Sequence, residues 1–194
     1  FNTAWQYKKG EVNKDAYDTI SLILEKINVK PEDRAVVMPA REYSEKLKSQ
    51  SNNQDICPVV AMQVKDGTII TGKSSDLMCG SAAAVLNAIK YMANIPDEMY
   101  LISPVILNPI IKLKTETLVG KNVSLSLEEV LSALAICAVT NPTAELAMEK
   151  LEELKNIQAH STTIISKDDE QTFRKLGMHV TCDPNYPSQN LYYN

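Results

Sequence analysis

The sequence predicts an α/β protein with a mixed sheet, and three observations predict it. Asp66-Gly67, a strong two-residue hairpin signal, separates two runs rich in β-branched residues, "CPVVAMQVK" and "TIITGK". "AHSTTIIS", "KDDEQTFRKL" and "MHVTCD" read as strand, helix and strand with tight connections, which implies a right-handed parallel crossover. The remaining segments carry helical periodicity. A hairpin in one place and a parallel unit in another require a sheet with both strand directions.

Each element has its own signal. Residues 1–54 are expected to be a helical lead-in and residues 55–194 the α/β domain. In "EVNKDAYDTISLILEKINV", Ala16, Ile20, Ile23, Leu24 and Ile27 share one helical face. Pro31 opens a second helix in its first turn, and Pro39 is expected to kink or split it. The polar breaker "SQSNNQD", 49–55, is the internal boundary. After the hairpin a long helix is predicted over 76–94. Its small residues Gly80, Ser81, Ala82, Ala83 and Ala84 let it lie close against a neighbour, and Val85, Ala88, Ile89 and Met92 continue its apolar stripe. "MYLISP" reads as a short strand, and "PVILNPIIKLKTETL" as a helix begun or interrupted by Pro109.

Ser126 and Glu129 form a capping box, behind which Leu127, Val130, Leu131, Leu134 and Ala138 line one face. Asn141-Pro142 opens the next helix, cap then first-turn proline, with Ala144, Ala147, Met148, Leu151 and Leu154 as its buried stripe. Ser166 caps "KDDEQTFRKL", which has acids in its first turn and bases in its last, and Gly177 ends it. The tail "PNYPSQNLYYN" is expected to be extended and packed on a neighbour.

Composition excludes several classes. A net charge of −4 and a pI near 5.3, with no basic stripe interleaved with aromatics, argue against nucleic acid as a partner. No apolar run approaches the roughly 18 residues of a membrane span, and no signal peptide is visible, so a cytoplasmic protein with no membrane partner is expected. The chain opens on Phe1 rather than Met, so a fragment of a longer protein is expected. Cys57, Cys79, Cys137 and Cys182 form no C-x-x-C pair and read as reduced, mostly buried thiols. With only His160 and His179, an H-E-x-x-H zinc protease is excluded within this chain. A zinc deaminase is disfavoured too, because Cys79-Gly80-Ser81 lacks the required Glu and no C-x-x-C follows. No metal and no cofactor is expected.

One motif demands a decision. Gly67, four residues, then Gly72-Lys73-Ser74 matches G-x-x-x-x-G-K-[ST], a phosphate-cradling loop. Such a loop curls so that successive N–H groups converge. Its inner residues here, Thr68, Ile69, Ile70 and Thr71, are all β-branched and suit an extended strand. The magnesium-side acid at the end of an apolar strand is also missing. The hairpin reading is therefore adopted. What survives is an anion-binding candidate, Thr71, Gly72, Lys73, Ser74, Ser75 and Asp76, where a strand hands over to a helix start. The competing reading is that Ser75 or Asp76 caps that helix.

No catalytic residue is assigned. His160, Ser161, Asn141 and Cys182 are secondary candidates. Adjacent strand residues point to opposite faces, so His160 and Ser161 cannot pair with each other. His160 is read as starting its strand and as structural. Ser166, Cys182 and Asp183 lie at the carboxyl ends, where ligands gather on parallel sheets.

The blocks "DGTIITGKSSDLM", "LSALAICAVTNPTAELAMEKL", "AHSTTIIS" and "FRKLGMHVTCDPNYPSQNLYY", in this order, resemble the C-terminal region of a bacterial uncharacterised family, domain of unknown function 1846 (uncharacterised protein family 0371). The similarity runs from about residue 31 to the end. The resemblance implies a cytoplasmic bacterial protein roughly twice this length, with an N-terminal half that carries its own glycine-rich run. It implies a three-layer α/β/α unit of deaminase-like topology, preceded by a helical piece. Some members are labelled ATP-dependent zinc proteases, which the histidine count opposes for this segment. The family's TGK-S-D and HST blocks stand here as Thr71-Gly72-Lys73, Ser75-Asp76 and His160-Ser161-Thr162.

Three functions follow as expectations. The first is part of an enzyme or binding protein for a phosphorylated or nucleotide-like small molecule, its site completed by the N-terminal half or a second subunit. The second is a non-catalytic, homo-oligomeric assembly domain. The third is a self-sufficient nucleotide hydrolase.

Overall fold

In the computed structural model, residues 1–50, 57–118 and 123–187 are described. The order is α1 (Asn2–Lys8), α2 (Lys14–Lys26), a 3-10 turn (Pro31–Asp33), α3 (Val37–Gln50), β1 (Val59–Gln63), β2 (Ile69–Lys73), α4 (Gly80–Met92), α5 (Pro104–Lys112), α6 (Leu127–Ala138), α7 (Pro142–Glu149), β3 (Gln158–Ser161), α8 (Lys167–Lys175) and β4 (His179–Cys182). The sheet order is β2-β1-β3-β4. β1 runs antiparallel to both β2 and β3, while β3 and β4 are parallel. The mixed sheet is thus as the sequence predicts, and its order is compatible with the deaminase-like topology the resemblance implies.

β1 is buried on both faces, and its alternation separates two cores. Val60 and Met62 join the main core with Val85, Ala88 and Ile89 of α4 and Leu127, Val130 and Leu134 of α6. Val59 and Ala61 turn the other way, against Val36 and Ala40 at the start of α3. Helices therefore cover both faces. Trp5 carries α1 into the main core at 1% exposure.

The local signals act where they were read. Ser126 and Glu129 close a reciprocal capping box on α6. The side chains of Asn141 and Ser166 accept N–H bonds from Thr143 and Asp169, and Gly177 leaves α8 at φ +71°. Other expectations are corrected. Pro31 opens only a 3-10 turn, and α3 starts at Val37. Pro39 then lies in the first turn of α3, where an N–H would have no intrahelical partner, so it neither kinks nor splits the helix.

"MYLISP" forms no strand. Leu101 and Ile102 bury their side chains in the main core from irregular backbone, and Ser103 caps α5. α5 tolerates Pro109 and runs on into a π turn, Leu113–Thr117. Of "AHSTTIIS" only the first three residues, Ala159 to Ser161, are strand, preceded in it by Gln158. Most of the 49–55 breaker and residues 188–194 of the tail lie outside the described residues. Tyr186, at the head of that tail, donates from its hydroxyl to the Lys8 carbonyl at 3.1 Å.

Candidate functional site

The phosphate-loop pattern dissolves into three unrelated structural duties. Gly67 turns the hairpin at φ +90°, with the Asp66 carboxylate accepting the Thr68 N–H at 2.9 Å. Gly72 lies where α4 crosses β2, and a Cβ there would stand 2.1 Å from the Ala84 nitrogen. Lys73 ends β2 and is exposed.

The helix does not start at Asp76. Ser75 first folds a turn, its N–H donating to the Met78 carbonyl at 3.0 Å and its Oγ accepting from Leu77 and Met78, both at 3.3 Å. Cys79 then becomes the N-cap of α4, and Ser74 Oγ accepts the Gly80 N–H at 2.8 Å from six residues away. Neither Ser75 nor Asp76 caps the helix. The N–H groups of Ser74 and Cys79 donate to the Pro58 and Leu125 carbonyls, each at 2.9 Å. Most N–H groups between Ser74 and Gly80 are therefore already hydrogen-bonded within the chain, and an anion here would depend chiefly on the Lys73 side chain.

A polar cluster fills the α3 side of the β3–β4 pair. β3 begins at Gln158, so His160 is its third residue, near the carboxyl end rather than at the start. The ring is buried at 2% exposure. Its Nδ1 lies 2.9 Å from Thr181 Oγ1, its partner across the parallel register. Arg34 donates to that same hydroxyl oxygen, which leaves the hydroxyl proton for Nδ1. The network thereby assigns the imidazole proton to Nε2. Nε2 faces Asp183 Oδ1 at 3.4 Å without forming an aligned hydrogen bond, so the attraction is electrostatic.

Asp183 in turn is held by a two-pronged fork from Arg41, Nε to Oδ2 at 2.9 Å and Nη2 to Oδ1 at 2.6 Å. The third arm of Arg41 reaches Glu32. Burial alone would raise the Asp183 pKa, but the attraction of His160 and the Arg41 fork overrides it and holds the carboxyl at about 2. The same fork raises Arg41. Among the described residues Arg34 has no such carboxylate. It donates to Gln158 Oε1 at 3.2 Å and to the Ala159 and His179 carbonyls, each at 3.4 Å, and burial lowers its pKa.

The pairing register brings the two candidate groups to one end of the sheet. Lys73 is opposite Val59, Val59 N–H donates to Thr162 Oγ1 at 3.0 Å, and Asp183 N–H donates to the Ser161 carbonyl at 2.8 Å. Other candidates are spent within the fold. Ser161 is buried at 1% exposure and its Oγ accepts the Thr163 N–H. The Asn141 side chain is occupied as a cap. Burial pushes the Cys182 thiol up to about 12, so it is no nucleophile at neutral pH. Among the described residues no group of three His, Cys, Asp or Glu side chains could hold a metal.

Arg41, Glu32 and Arg34 escape a sequence reading, because the Arg41–Asp183 pair spans 142 residues and leaves no local pattern. A further missed residue is Asp169. Buried at 4% exposure, it accepts the Leu127 N–H at 2.8 Å and the Cys79 thiol at 3.3 Å while sitting in the first turn of α8. Burial first, and Asp169 second, push Cys79 up to about 12.

The fork makes a pH prediction. A carboxyl held below its unfolded value contributes stability above about pH 4 and loses it as pH falls toward 2. Arg41→Ala removes the fork and raises the Asp183 pKa, so acid unfolding followed by circular dichroism is expected to begin at a higher pH. An acid limb superimposable on the wild type would show that Asp183 is not stabilised by Arg41.

Residues 32–192 match the family described as "Domain of unknown function DUF1846, C-terminal". The chain is 68% identical over 194 residues to a UPF0371 protein of Clostridioides difficile (strain 630), 61% to one of Clostridium botulinum (strain Langeland), and 58% to one of Clostridium tetani (strain Massachusetts). Each match covers 100% of this chain and 39% of the relative. The chain thus spans about two-fifths of the length of the curated relatives it matches, less than the half that the resemblance implies.

Proposed function

We propose, from the premise that this chain belongs to the family of the C-terminal domain of unknown function 1846, that its sheet end supplies one wall of a site for a small anionic molecule. The ligand class is phosphorylated or nucleotide-like, and the site is completed by the N-terminal portion of the longer polypeptide or by a second subunit. The supporting observation is the common placement of exposed Lys73 and the His160–Asp183–Arg41 cluster at the carboxyl end of the parallel pair. Open α/β sheets bind ligands at that end. With so few free N–H groups, the wall works through side chains.

The test is melting temperature against inorganic phosphate and a nucleoside monophosphate, in this chain and in a full-length family polypeptide carrying it. Mass action at a hundredfold excess over Kd stabilises by about 2.7 kcal/mol. That gain is expected in the full-length protein, is lost in Lys73→Ala, and shrinks with salt as an exposed lysine is screened. His160→Ala is expected to lower stability but keep the response. A flat wild-type response in the full-length protein removes this reading.

The alternative is a non-catalytic assembly domain forming homo-oligomers. It is favoured by apolar side chains left in solvent, Val105 at 77%, Leu118 at 69% and Val139 at 82% exposure. Sedimentation over a wide concentration range separates a self-associating domain from a monomer.

A further inference from the structure

We propose that the apolar face of α2 is the seat of the N-terminal portion carried by the longer members of the family, so that α1 and α2 bracket two parts of one polypeptide. Most of the stripe that the sequence places on one helical face is left uncovered by the described residues. Ile20, Ile23 and Ile27 are 36%, 47% and 58% exposed, and Leu24 on the same face is half-buried. α2 buries no residue. Scattered exposed apolar residues are ordinary on a protein surface, but a continuous stripe on one amphipathic helix marks an interaction face.

The helix is nonetheless well formed and well anchored. Asn13 caps it by accepting the Ala16 N–H at 2.9 Å. Tyr17 stacks on Tyr7 of α1, centroids 4.9 Å apart. α1 is fixed in turn by Trp5 in the main core, with the Lys9 ammonium 4.8 Å from the indole centroid. The face is therefore held by α1 rather than by its own burial, as a presented surface would be.

The comparisons point to the occupant. The C-terminal family match begins at residue 32, yet similarity to the relatives extends across all 194 residues, α1 and α2 included. These helices thus precede the C-terminal domain, on the side toward the rest of the polypeptide. About three-fifths of each relative lies outside the matched segment, ample for a second core with an apolar patch of its own. Tethering in one chain gives such a contact a high effective concentration, so one helix face suffices.

The experiment places Ile23→Cys in this chain and in a full-length family polypeptide that carries it, and follows maleimide labelling by peptide mapping to separate it from the native cysteines. Labelling is expected to be fast in this chain at every concentration and at least tenfold slower in the full-length protein. Equal rates would overturn the proposal. Slowing in this chain as its concentration rises would also overturn it, because a second copy would then be the occupant. A second variant guards against a misplaced label. Ile23→Asp with Ile27→Asp is expected to leave the melting temperature of this chain unchanged but to speed protease cleavage between the two parts of the full-length protein. Unchanged cleavage there would overturn the proposal. These readouts involve no anion and stand apart from the Lys73 test.

Discussion

Gly72→Ala is expected to destabilise the fold by about 3 kcal/mol or more, at the upper end of what overpacking a core costs. The added Cβ would lie 2.1 Å from Ala84 N, 2.5 Å from Ala84 Cα and 2.6 Å from the Ala83 carbonyl carbon. All three are backbone atoms of α4, so no rotamer change relieves the clash, and the helix must move off β2. Gly67→Ala, by contrast, meets no atom within 4 Å and suffers only the strain of φ +90°. Its cost is expected to be about 1 kcal/mol. Urea denaturation of the two variants distinguishes a packing glycine from a phosphate-loop glycine. If Gly72→Ala unfolds at the wild-type urea midpoint, the packing account is wrong.

Asp169→Ala is expected to cost about 3–5 kcal/mol, because the carboxyl group satisfies donors at two helix starts and sits in the first turn of a third helix. It accepts from Leu127 in the first position of α6 and from Cys79 at the cap of α4, and it sits in the first turn of α8. Alanine leaves a buried N–H without an acceptor and three helix N-termini without their shared anion. Asp169→Asn keeps the shape and one carbonyl oxygen for Leu127, so about half the loss is expected. Equal losses for both variants, measured by chemical denaturation, would show that shape and charge are not separable there.

How far the sequence could be read depended on the distance over which each interaction acts. Ser126 with Glu129, Asn141 with Thr143 and Ser166 with Asp169 are bonds between residues two or three apart, and those helix starts were legible. The hairpin at Asp66-Gly67 was legible for the same reason. The start of α4 was not, because its position depends on Ser74 reaching Gly80 and on Cys79 reaching Leu125. "MYLISP" misled because apolar residues buried from irregular backbone have the composition of a strand. At the sheet end, Lys73 and His160 stood out by residue type. Their common end of the sheet is set by β1 pairing with both β2 and β3, a register no short pattern contains.

That central position of β1 also shapes how the chain is made. Its second partner, β3, arrives about a hundred residues later, as the bond from Val59 to Thr162 shows with its separation of 103. Ribosomes add about 5–20 residues per second, so the β3-facing edge of β1 waits roughly 5–20 seconds for its partner during synthesis. Over that interval "VVAMQ" is an apolar strand with one flank unpaired, the kind of edge that recruits other chains. α3 emerges beforehand and β2 and α4 soon after; the two helices shield the faces of β1 and β2 pairs its other edge, but the β3-facing edge stays open. The vulnerable moment for this domain therefore falls before α8 is synthesised, and crowding of nascent chains is most hazardous then.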